Sequence, residues 1–334
     1  MSVYPLTHRQ RLEAGLSGEK PDLVPVALWR HFPVDDQTPE GLAAATATFQ
    51  RLYDFDLIKV SPSSSFCLRD WGVEDQWTGS TEGTRDYTKH PIQHPDDWAK
   101  LKILNPNRGS LQDQLTCLRI LVTEFSPQVP IIQTIFSPLA QAKNLVGKDQ
   151  LLVHMRQYPD ALHTGLERIT QTTIRFIEEV IRLGADGIFY AIQHAQYGLL
   201  TPQEFQIFSK VYDLRVLQAT RQLWLNMAHI HGENLMFDMV RDYPVAIMNW
   251  HDRKTSPSLE VAQTLFNGMV CGGLRQWETM VLGNPKQVIE EAHQAFQATG
   301  GVRFMLGTGC VLPIIAPHCN ILAARQALTI RGIL

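Results

Sequence analysis

Eight short apolar or β-branched runs alternate with longer helical patterns along this 334-residue chain. Two of the runs, IIQTIF and GIFYA, are largely apolar without alternation, as expected for strands of a parallel sheet that is covered on both faces. Eight such strand and helix pairs in roughly 300 residues predict an α/β fold, a single (β/α)8 TIM barrel. A doubly wound sheet is the main alternative, but it predicts a glycine-rich phosphate turn after an early strand, and the sequence has none. The predicted strands are Val24–Trp29, Phe55–Val60, Pro130–Phe136, Asp186–Ala191, Leu225–Ile230, Val245–Asn249, Gly268–Cys271 and Arg303–Gly307.

The helices between these strands carry recognisable boundary signals. Thr201 provides a capping hydroxyl, and Glu204 follows three residues after it. Asn284-Pro285 predicts the start of the helix before the last strand, and Gly184 predicts a left-handed helix end before the fourth strand.

No repeat, low-complexity tract or linker divides the sequence, so residues 1–334 are predicted to form one domain. A long insertion, residues 67–127, separates the second and third predicted strands. Its first part resembles a hairpin placed over one mouth of the barrel, and the rest has a helical pattern.

Composition excludes several classes of protein. The chain has 30 Lys and Arg residues against 33 Asp and Glu residues and lacks basic runs, which argues against a nucleic-acid or anionic-membrane partner. No apolar stretch reaches the length of about 18 residues that a membrane-spanning helix needs. Residues 1–9 lack an apolar core, so we expect no signal peptide. Five cysteines without a C-x-x-C pair predict reduced thiols and a cytoplasmic protein.

Reactive side chains gather at the ends of the predicted strands. Barrel enzymes carry their chemistry on the loops that follow the strands, at the C-terminal face of the barrel. Five of the twelve histidines lie in these ends, which favours a functional site there over solvated loop histidines: His31, His194, His229, His231 and His251.

The pair His229-x-His231 is the sharpest local feature. Residues i and i+2 of a strand face the same side, so both imidazoles would point toward the barrel mouth. Cys310, at the end of the last predicted strand, could supply a third ligand, and three protein ligands with an open position are typical of catalytic zinc. One core histidine beside one surface histidine is the alternative interpretation of the pair.

Other polar strand ends predict a pocket around this pair. Arg30 follows an apolar strand, and its guanidinium could form two parallel hydrogen bonds to a carboxylate or phosphate. An ion pair with Asp35 or Asp36 is the alternative interpretation. His251 could be a general acid or base held by Asp252, or a structural histidine. Three further strand-end residues could shape the same pocket or belong to the barrel: Tyr190, Asn249 and Arg275.

Three pairs of segments carry a family resemblance: Thr7–Ala14 with Asp22–Val26, Leu183–Ile188 with Leu200–Phe205, and Gly307–Pro313 with Pro317–Ala323. They resemble the uroporphyrinogen decarboxylase superfamily, which includes zinc-dependent methyltransferases that act with corrinoid proteins. The likeness extends over nearly the whole chain and implies a single (β/α)8 barrel.

The decarboxylase branch of this superfamily binds a tetrapyrrole without a metal. Its pattern has an arginine-rich loop after the first strand, an aspartate after the second and a tyrosine after the third. Here only Arg30 matches the loop, Val60-Ser61-Pro62-Ser63 stands where the aspartate is expected, and Gln141–Asn144 stands around the tyrosine position. A metal-free uroporphyrinogen decarboxylase is therefore the first alternative function.

The methyltransferase branch binds zinc through a His-x-Cys pair and a later cysteine. His229 and Cys310 match this pattern, and His231 replaces the middle cysteine. The resemblance implies Zn²⁺ at these three residues and methyl transfer to a small thiol or similar nucleophile, with a corrinoid protein as donor. The change from thiolate to imidazole raises the charge of the site by one. Because Glu233 is close by in the sequence, an oxygen substrate or water is an alternative nucleophile.

The complete expected site follows from these arguments. Family members often pair, so a homodimer is compatible with the resemblance. A barrel that binds a tetrapyrrole or corrinoid without catalysis is the second alternative. The expected metal ligands are His229, His231 and Cys310, the expected catalytic residues are His251 and Glu233, and the expected substrate-binding residues are Arg30, His31, Tyr190, His194, Asn249 and Arg275.

Overall fold

A curled parallel sheet of seven strands forms the centre of the molecule, in a computed structural model that describes residues 5–329. Every strand pairs in parallel with the next one along the chain, apart from a separate hairpin formed by β2 and β3, in the order β1-β4-β5-β6-β7-β8-β9. The strands are β1 Ile58–Val60, β2 Glu74–Gln76, β3 Asp86–Lys89, β4 Ile131–Phe136, β5 Gly187–Ile192, β6 Met227–Ile230, β7 Ile247–Trp250, β8 Met269–Leu274 and β9 Phe304–Thr308.

The first predicted strand, Val24–Trp29, is wrong as a strand. It contributes one isolated parallel bridge between Val26 and Leu306, with backbone bonds to β9 on one side and to Asp56, shortly before β1, on the other. Pro25 explains the interruption, because proline has no N–H to donate to a ladder. Within residues 5–329 the central sheet therefore has seven strands, and the expected closed barrel of eight strands is not confirmed. The other predicted strands are present, with ends shifted by at most three residues.

Twelve α-helices connect and cover the strands within residues 5–329. The predicted boundaries are confirmed: Thr201 and Glu204 form a capping box, Asn284 caps α11, and Gly184 has φ +89°. The helices are α1 His8–Ser17, α2 Pro39–Tyr53, α3 Gly109–Phe125, α4 Pro138–Val146, α5 Lys148–Gln157, α6 Pro159–Arg182, α7 Pro202–Phe205, α8 Val211–Ala219, α9 Phe237–Val240, α10 Leu259–Leu265, α11 Pro285–Thr299 and α12 His318–Gln326. None of the described helices is long and apolar enough to span a bilayer.

The core has two parts, one on each face of the sheet. Trp29, Phe189 and Met305 belong to a cluster on the inner face, and a larger cluster fills the space between the sheet and the helices. Helix α1 contributes Leu12 to the inner cluster, and its buried Arg11 pairs with Asp22 and Asp56. The contacts of helix α1 occupy the N-terminal end of the strands, whereas the main cavity lies at the C-terminal end.

The β2–β3 hairpin reaches over this C-terminal end. Its tip is held by a bond from the backbone N of Ile314 to the carbonyl of Thr81, 2.8 Å long. Gly83 lies so close to the loop after residues 24–29 that an added Cβ would be 2.6 Å from the Cβ of His31. The hairpin therefore forms one wall of the space at the strand ends.

Candidate metal centre

Four side chains converge at the C-terminal end of the sheet. His229 lies on β6, His231 follows it, His251 follows β7, and Cys310 follows β9. One potential ligand atom from each residue lies within 4.8 Å of all the others. The Cys310 sulfur is 3.6 Å from Nε2 of His229 and 3.7 Å from Nδ1 of His231. The structure thus brings together the three residues expected as metal ligands and adds His251 to them.

Asn249 determines how the ring of His229 is oriented. The amide of Asn249 donates to the carbonyls of Cys271 and Thr308, at 2.9 and 3.1 Å, so its Oδ1 is left as an acceptor. Nδ1 of His229 lies 2.7 Å from this oxygen and therefore carries the proton. Nε2 is then the atom with the free lone pair, and it is the atom that faces Cys310.

Two separations within this cluster, those from the sulfur of Cys310 to the rings of His229 and His231, fit a tetrahedral zinc ion. Zn–N bonds of about 2.05 Å and Zn–S bonds of about 2.3 Å place a sulfur and a nitrogen ligand about 3.5 Å apart in a tetrahedron. The two sulfur–nitrogen distances of 3.6 and 3.7 Å are close to this value. The donor set, imidazole with one thiol, is also one that zinc prefers.

Burial sets the protonation states of the cluster. It lowers the pKa of His229 far below its usual range and the pKa of His251 to about 4, and the neighbouring imidazoles act in the same direction. Burial also raises the pKa of the Cys310 thiol to about 11. At neutral pH the imidazoles are therefore ready to ligate, whereas a metal must displace the proton of Cys310.

A cavity of about 300 Å³ opens in front of His229, His231 and Cys310. Two lysines line it: Nζ of Lys59 donates to Ser61 at 3.0 Å and lies 4.5 Å from the ring centre of Phe189, and Nζ of Lys143 donates to Gln193 at 2.8 Å. Neither amine has a carboxylate partner within residues 5–329. Burial lowers the pKa of Lys59 to about 7 and that of Lys143 to about 8.

Glu82 enters the cavity from the tip of the hairpin. Its Oε1 accepts from the indole of Trp277 at 2.9 Å and from the amide of Gln276 at 3.1 Å, both in the segment after β8. Sequence reasoning missed Glu82 and Lys143, because the insertion and α4 bring them in from outside the strand ends. Lys59 lies within a predicted strand end and could have been found there.

The family model for uroporphyrinogen decarboxylase (URO-D) matches residues 7–329. This chain belongs to the URO-D family. The relatives of this family member include a methylcobamide:CoM methyltransferase, MtbA, from Methanosarcina acetivorans, which is 21% identical over 238 residues and aligned over 70% of this chain and 68% of its own length. A uroporphyrinogen decarboxylase from Flavobacterium johnsoniae is 25% identical over 199 residues, 56% of this chain and 55% of its own length.

Solved structures share the fold of this URO-D family member. A methyltransferase from Methanosarcina mazei superposes with a TM-score of 0.85 at 20% identity, covering 96% of this chain and 98% of that one. A B12-independent methionine synthase from a Shewanella species has a TM-score of 0.60 at 13% identity, covering 92% and 93% of the two chains. At these identities the likeness concerns the fold.

Arg30 does not take the place expected for it in this URO-D family member. Its guanidinium donates to the carbonyl of Ile314 at 3.1 Å and lies over the rings of Phe32 and Phe49, away from the main cavity. The alternative ion pair is also absent among the described contacts, because Asp36 pairs with Arg85. His31, the next residue, does line the cavity.

Two other expected pocket residues, Tyr190 and Arg275, also lie outside the cavity. Tyr190 faces the helices, where its hydroxyl donates to Asp213 at 2.6 Å, because its strand neighbours Phe189 and Ala191 face the cavity and side chains alternate along a strand. Arg275 pairs with Glu291 on α11, outside the cavity.

The remaining expected residues do not line the cavity. Asn249 acts through His229, and His194 is buried with no partner for its Nδ1 among residues 5–329. Glu233 is exposed, and its backbone N donates to Gln196. The carboxylate of Asp252 accepts from the backbone of Gly273 at 3.1 Å, so it does not hold His251.

Proposed function

We propose that this URO-D family member is a zinc-dependent methyltransferase that acts on a small thiol or similar nucleophile. The observation that carries the proposal is the convergence of His229, His231 and Cys310 beside a cavity, at separations that suit zinc. When bound there, zinc would hold the sulfur of an acceptor as a thiolate at neutral pH, which is the nucleophilic form.

The cavity supports a small acceptor that carries an acidic group. A volume of about 300 Å³ is at the lower end of the range for ligand sites. Lys59 and Lys143 are the cationic groups in it without a carboxylate partner, so they take over the anion-binding role that the sequence predicted for Arg30. Buried charges are stable when paired, and an acidic acceptor would provide the missing partner.

The proposed methyl donor is a corrinoid carried by a partner protein, in line with the methylcobamide methyltransferase among the relatives. In the overall reaction the acceptor sulfur forms a bond to the methyl carbon. The cobalt–carbon bond breaks with its electron pair left on cobalt, and the thiol proton goes to solvent. A reducing, cytoplasmic setting belongs to the proposal, since Cys310 must stay free, and all five cysteines are free here.

Metal analysis and a methyl-transfer assay test this proposal. We expect about one zinc per chain in the wild type, and loss of zinc in His229→Ala and Cys310→Ala but not in Cys319→Ala, whose cysteine is exposed and outside the cluster. We also expect thiol-dependent demethylation of methylcobalamin, followed by its visible spectrum. A wild type with no bound zinc, or with zinc that both cluster variants retain, would overturn the proposed metal centre.

A metal-free decarboxylase remains the second candidate, because a uroporphyrinogen decarboxylase is among the relatives at 25% identity. Against it, the segment Val60-Ser61-Pro62-Ser63 stands at the end of β1, where the resemblance calls for an aspartate. Formation of coproporphyrinogen from uroporphyrinogen would favour this candidate. Binding of cobalamins or porphyrins with neither reaction would favour the non-catalytic barrel.

A further inference from the structure

We propose that His251 is the fourth protein ligand, so that the resting site is a closed set of three imidazoles and one thiolate. The proposal rests on the metal centre proposed above and adds a residue to it. Sequence reasoning gave His251 an acid–base role beside Asp252 and predicted a site with three protein ligands. The structure instead places a ligand atom of His251 within 4.8 Å of those of His229, His231 and Cys310.

The contacts of His251 leave its ring free for such a role. Its Nε2 is buried and has no hydrogen-bond partner within residues 5–329. A buried nitrogen without a partner costs free energy, which a metal bond would recover. Asp252 is occupied by the backbone of Gly273 at 3.1 Å. The ring centre of His251 lies 5.4 Å from that of His231 and 6.1 Å from that of His229.

The close approach of two loops brings His251 to Cys310. Gly309, directly before the cysteine, lies against the end of β7: an added Cβ would be 2.7 Å from Cα of His251 and 2.9 Å from the carbonyl oxygen of Trp250. Only glycine permits this approach without a shift of the backbone. Strands β7 and β9 are separated by β8 in the sheet, so this contact shortens the distance across the sheet at the cluster.

The fourth ligand changes the character of the site. Four protein donors complete a tetrahedron, which is the arrangement of a closed zinc site, whereas three donors leave a position open. Three neutral imidazoles and one thiolate leave a net charge of +1 on a zinc site. An acceptor must therefore replace a protein ligand or raise the coordination number to five before it can bind.

Cobalt(II) spectroscopy tests the role of His251 independently of activity. The full-length protein is loaded with Co²⁺ alone, and its absorption reports both a thiolate ligand, through charge transfer, and the coordination number, through the intensity of the d–d bands. We expect strong tetrahedral bands in the wild type. In His251→Ala the charge-transfer band should persist while the d–d bands weaken. Added imidazole should restore the d–d bands, because it can occupy the vacated position.

Zinc affinity, measured by competition with a chelating dye, provides the second readout. Loss of an outer partner of a metal ligand already costs about 10- to 100-fold in affinity, so we expect His251→Ala to lose at least about 10-fold. His163→Ala is the matched control, because His163 packs on Phe208 and bonds to Tyr212, away from the cluster. It should keep the wild-type spectrum and affinity.

The two proposals fail in different ways. If the wild type binds neither Co²⁺ nor Zn²⁺, the proposed metal centre is wrong and the inference falls with it. If the wild type binds Co²⁺ with a thiolate band, and His251→Ala leaves the spectrum and affinity unchanged, the three-ligand centre stands and the role of His251 is wrong. A weakened spectrum that imidazole does not restore, with wild-type behaviour in His163→Ala, would also count against a direct bond.

Discussion

The imidazole of His229 donates through Nδ1 to Oδ1 of Asn249 over 2.7 Å, and this bond decides which nitrogen of His229 faces Cys310. The amide of Asn249 is itself held by two backbone carbonyls, so the acceptor oxygen cannot turn away. Ligand histidines in metal sites commonly have such a partner on the second nitrogen. Asn249, which the sequence predicts as a pocket residue, therefore positions a ligand.

Replacement of Asn249 by alanine should lower zinc affinity by about 10- to 100-fold, because His229 loses the partner that fixes its tautomer and ring angle. A competition titration with a chelating dye measures the change. The control is Asn226→Ala, which removes another buried asparagine bonded to backbone groups, next to β5 and away from the cluster. Equal losses of affinity in both variants would mean that the effect is only destabilisation of the fold.

Replacement of Gly309 by alanine should separate Cys310 from His251. The new Cβ would lie 2.7 Å from a backbone carbon of His251, and backbone yields less easily than a flexible side chain. We expect weaker zinc binding and a loss of about 1–3 kcal/mol in the free energy of unfolding, as for other overpacked sites. Gly198→Ala is the control, since an added Cβ there meets nothing within 4 Å. Wild-type zinc affinity in Gly309→Ala would show that the close approach does not position the ligands.

The alternation of strands and helices was predictable because each strand is a local, apolar pattern. Seven strands were placed by this pattern, whereas Val24–Trp29 failed because Pro25 breaks the ladder in a way that only its partner strands reveal. Tyr190 was misplaced although its orientation was within reach: Phe189 and Ala191 on either side face inward, so period-two alternation turns Tyr190 outward.

The rest of the site depends on contacts between distant segments. Glu82 reaches the cavity from the hairpin and Lys143 from α4. No pattern within either segment indicates its partners, which lie 194 and 195 residues away for Glu82 and 50 residues away for Lys143. His251 stands beside Asp252 in sequence, which suggested an acid–base pair. Their side chains have different partners in the structure, because the carboxylate turns to the backbone of Gly273.

His8 should make stability depend on pH at the opposite end of the molecule. Its ring bonds to Asp56 at 2.8 Å and to Asp54 at 3.0 Å. Burial opposes the charged form, but the two carboxylates prevail and raise the pKa of His8 to about 9. A raised pKa means stabilisation that is complete below about pH 6.5 and lost as the pH rises through about 9.

The measurement is the free energy of unfolding of the wild type and of His8→Gln between pH 6 and pH 10. We expect the wild type to be more stable by up to about 3 kcal/mol at pH 6, with the difference shrinking at high pH. His163→Gln is the control, because burial lowers the pKa of His163. The difference in free energy of unfolding between the wild type and His163→Gln should therefore not shrink as the pH rises. A difference for His8→Gln that is constant with pH would contradict the ion pairs.

Lys59 should lower the free energy of unfolding and strengthen the binding of an acidic acceptor. Burial lowers its pKa to about 7, so the folded protein holds an unfavourable ammonium below that pH, and Lys59→Met should be more stable than the wild type. The gain in stability should be complete below about pH 7 and diminish toward pH 10.5.

With 3-mercaptopropionate as acceptor, Lys59→Met should raise KM by about 10- to 100-fold, the usual effect of losing a hydrogen bond to a charged group. With the neutral acceptor 2-mercaptoethanol, the KM should change little.

In the wild type, kcat/KM for the acidic thiol should fall as the pH rises through about 7, and in Lys59→Met this dependence should disappear. Lys286→Met removes an exposed lysine and should alter neither thiol's kinetics. Equal effects of Lys59→Met on the two thiols would place the acidic group of the acceptor elsewhere in the cavity.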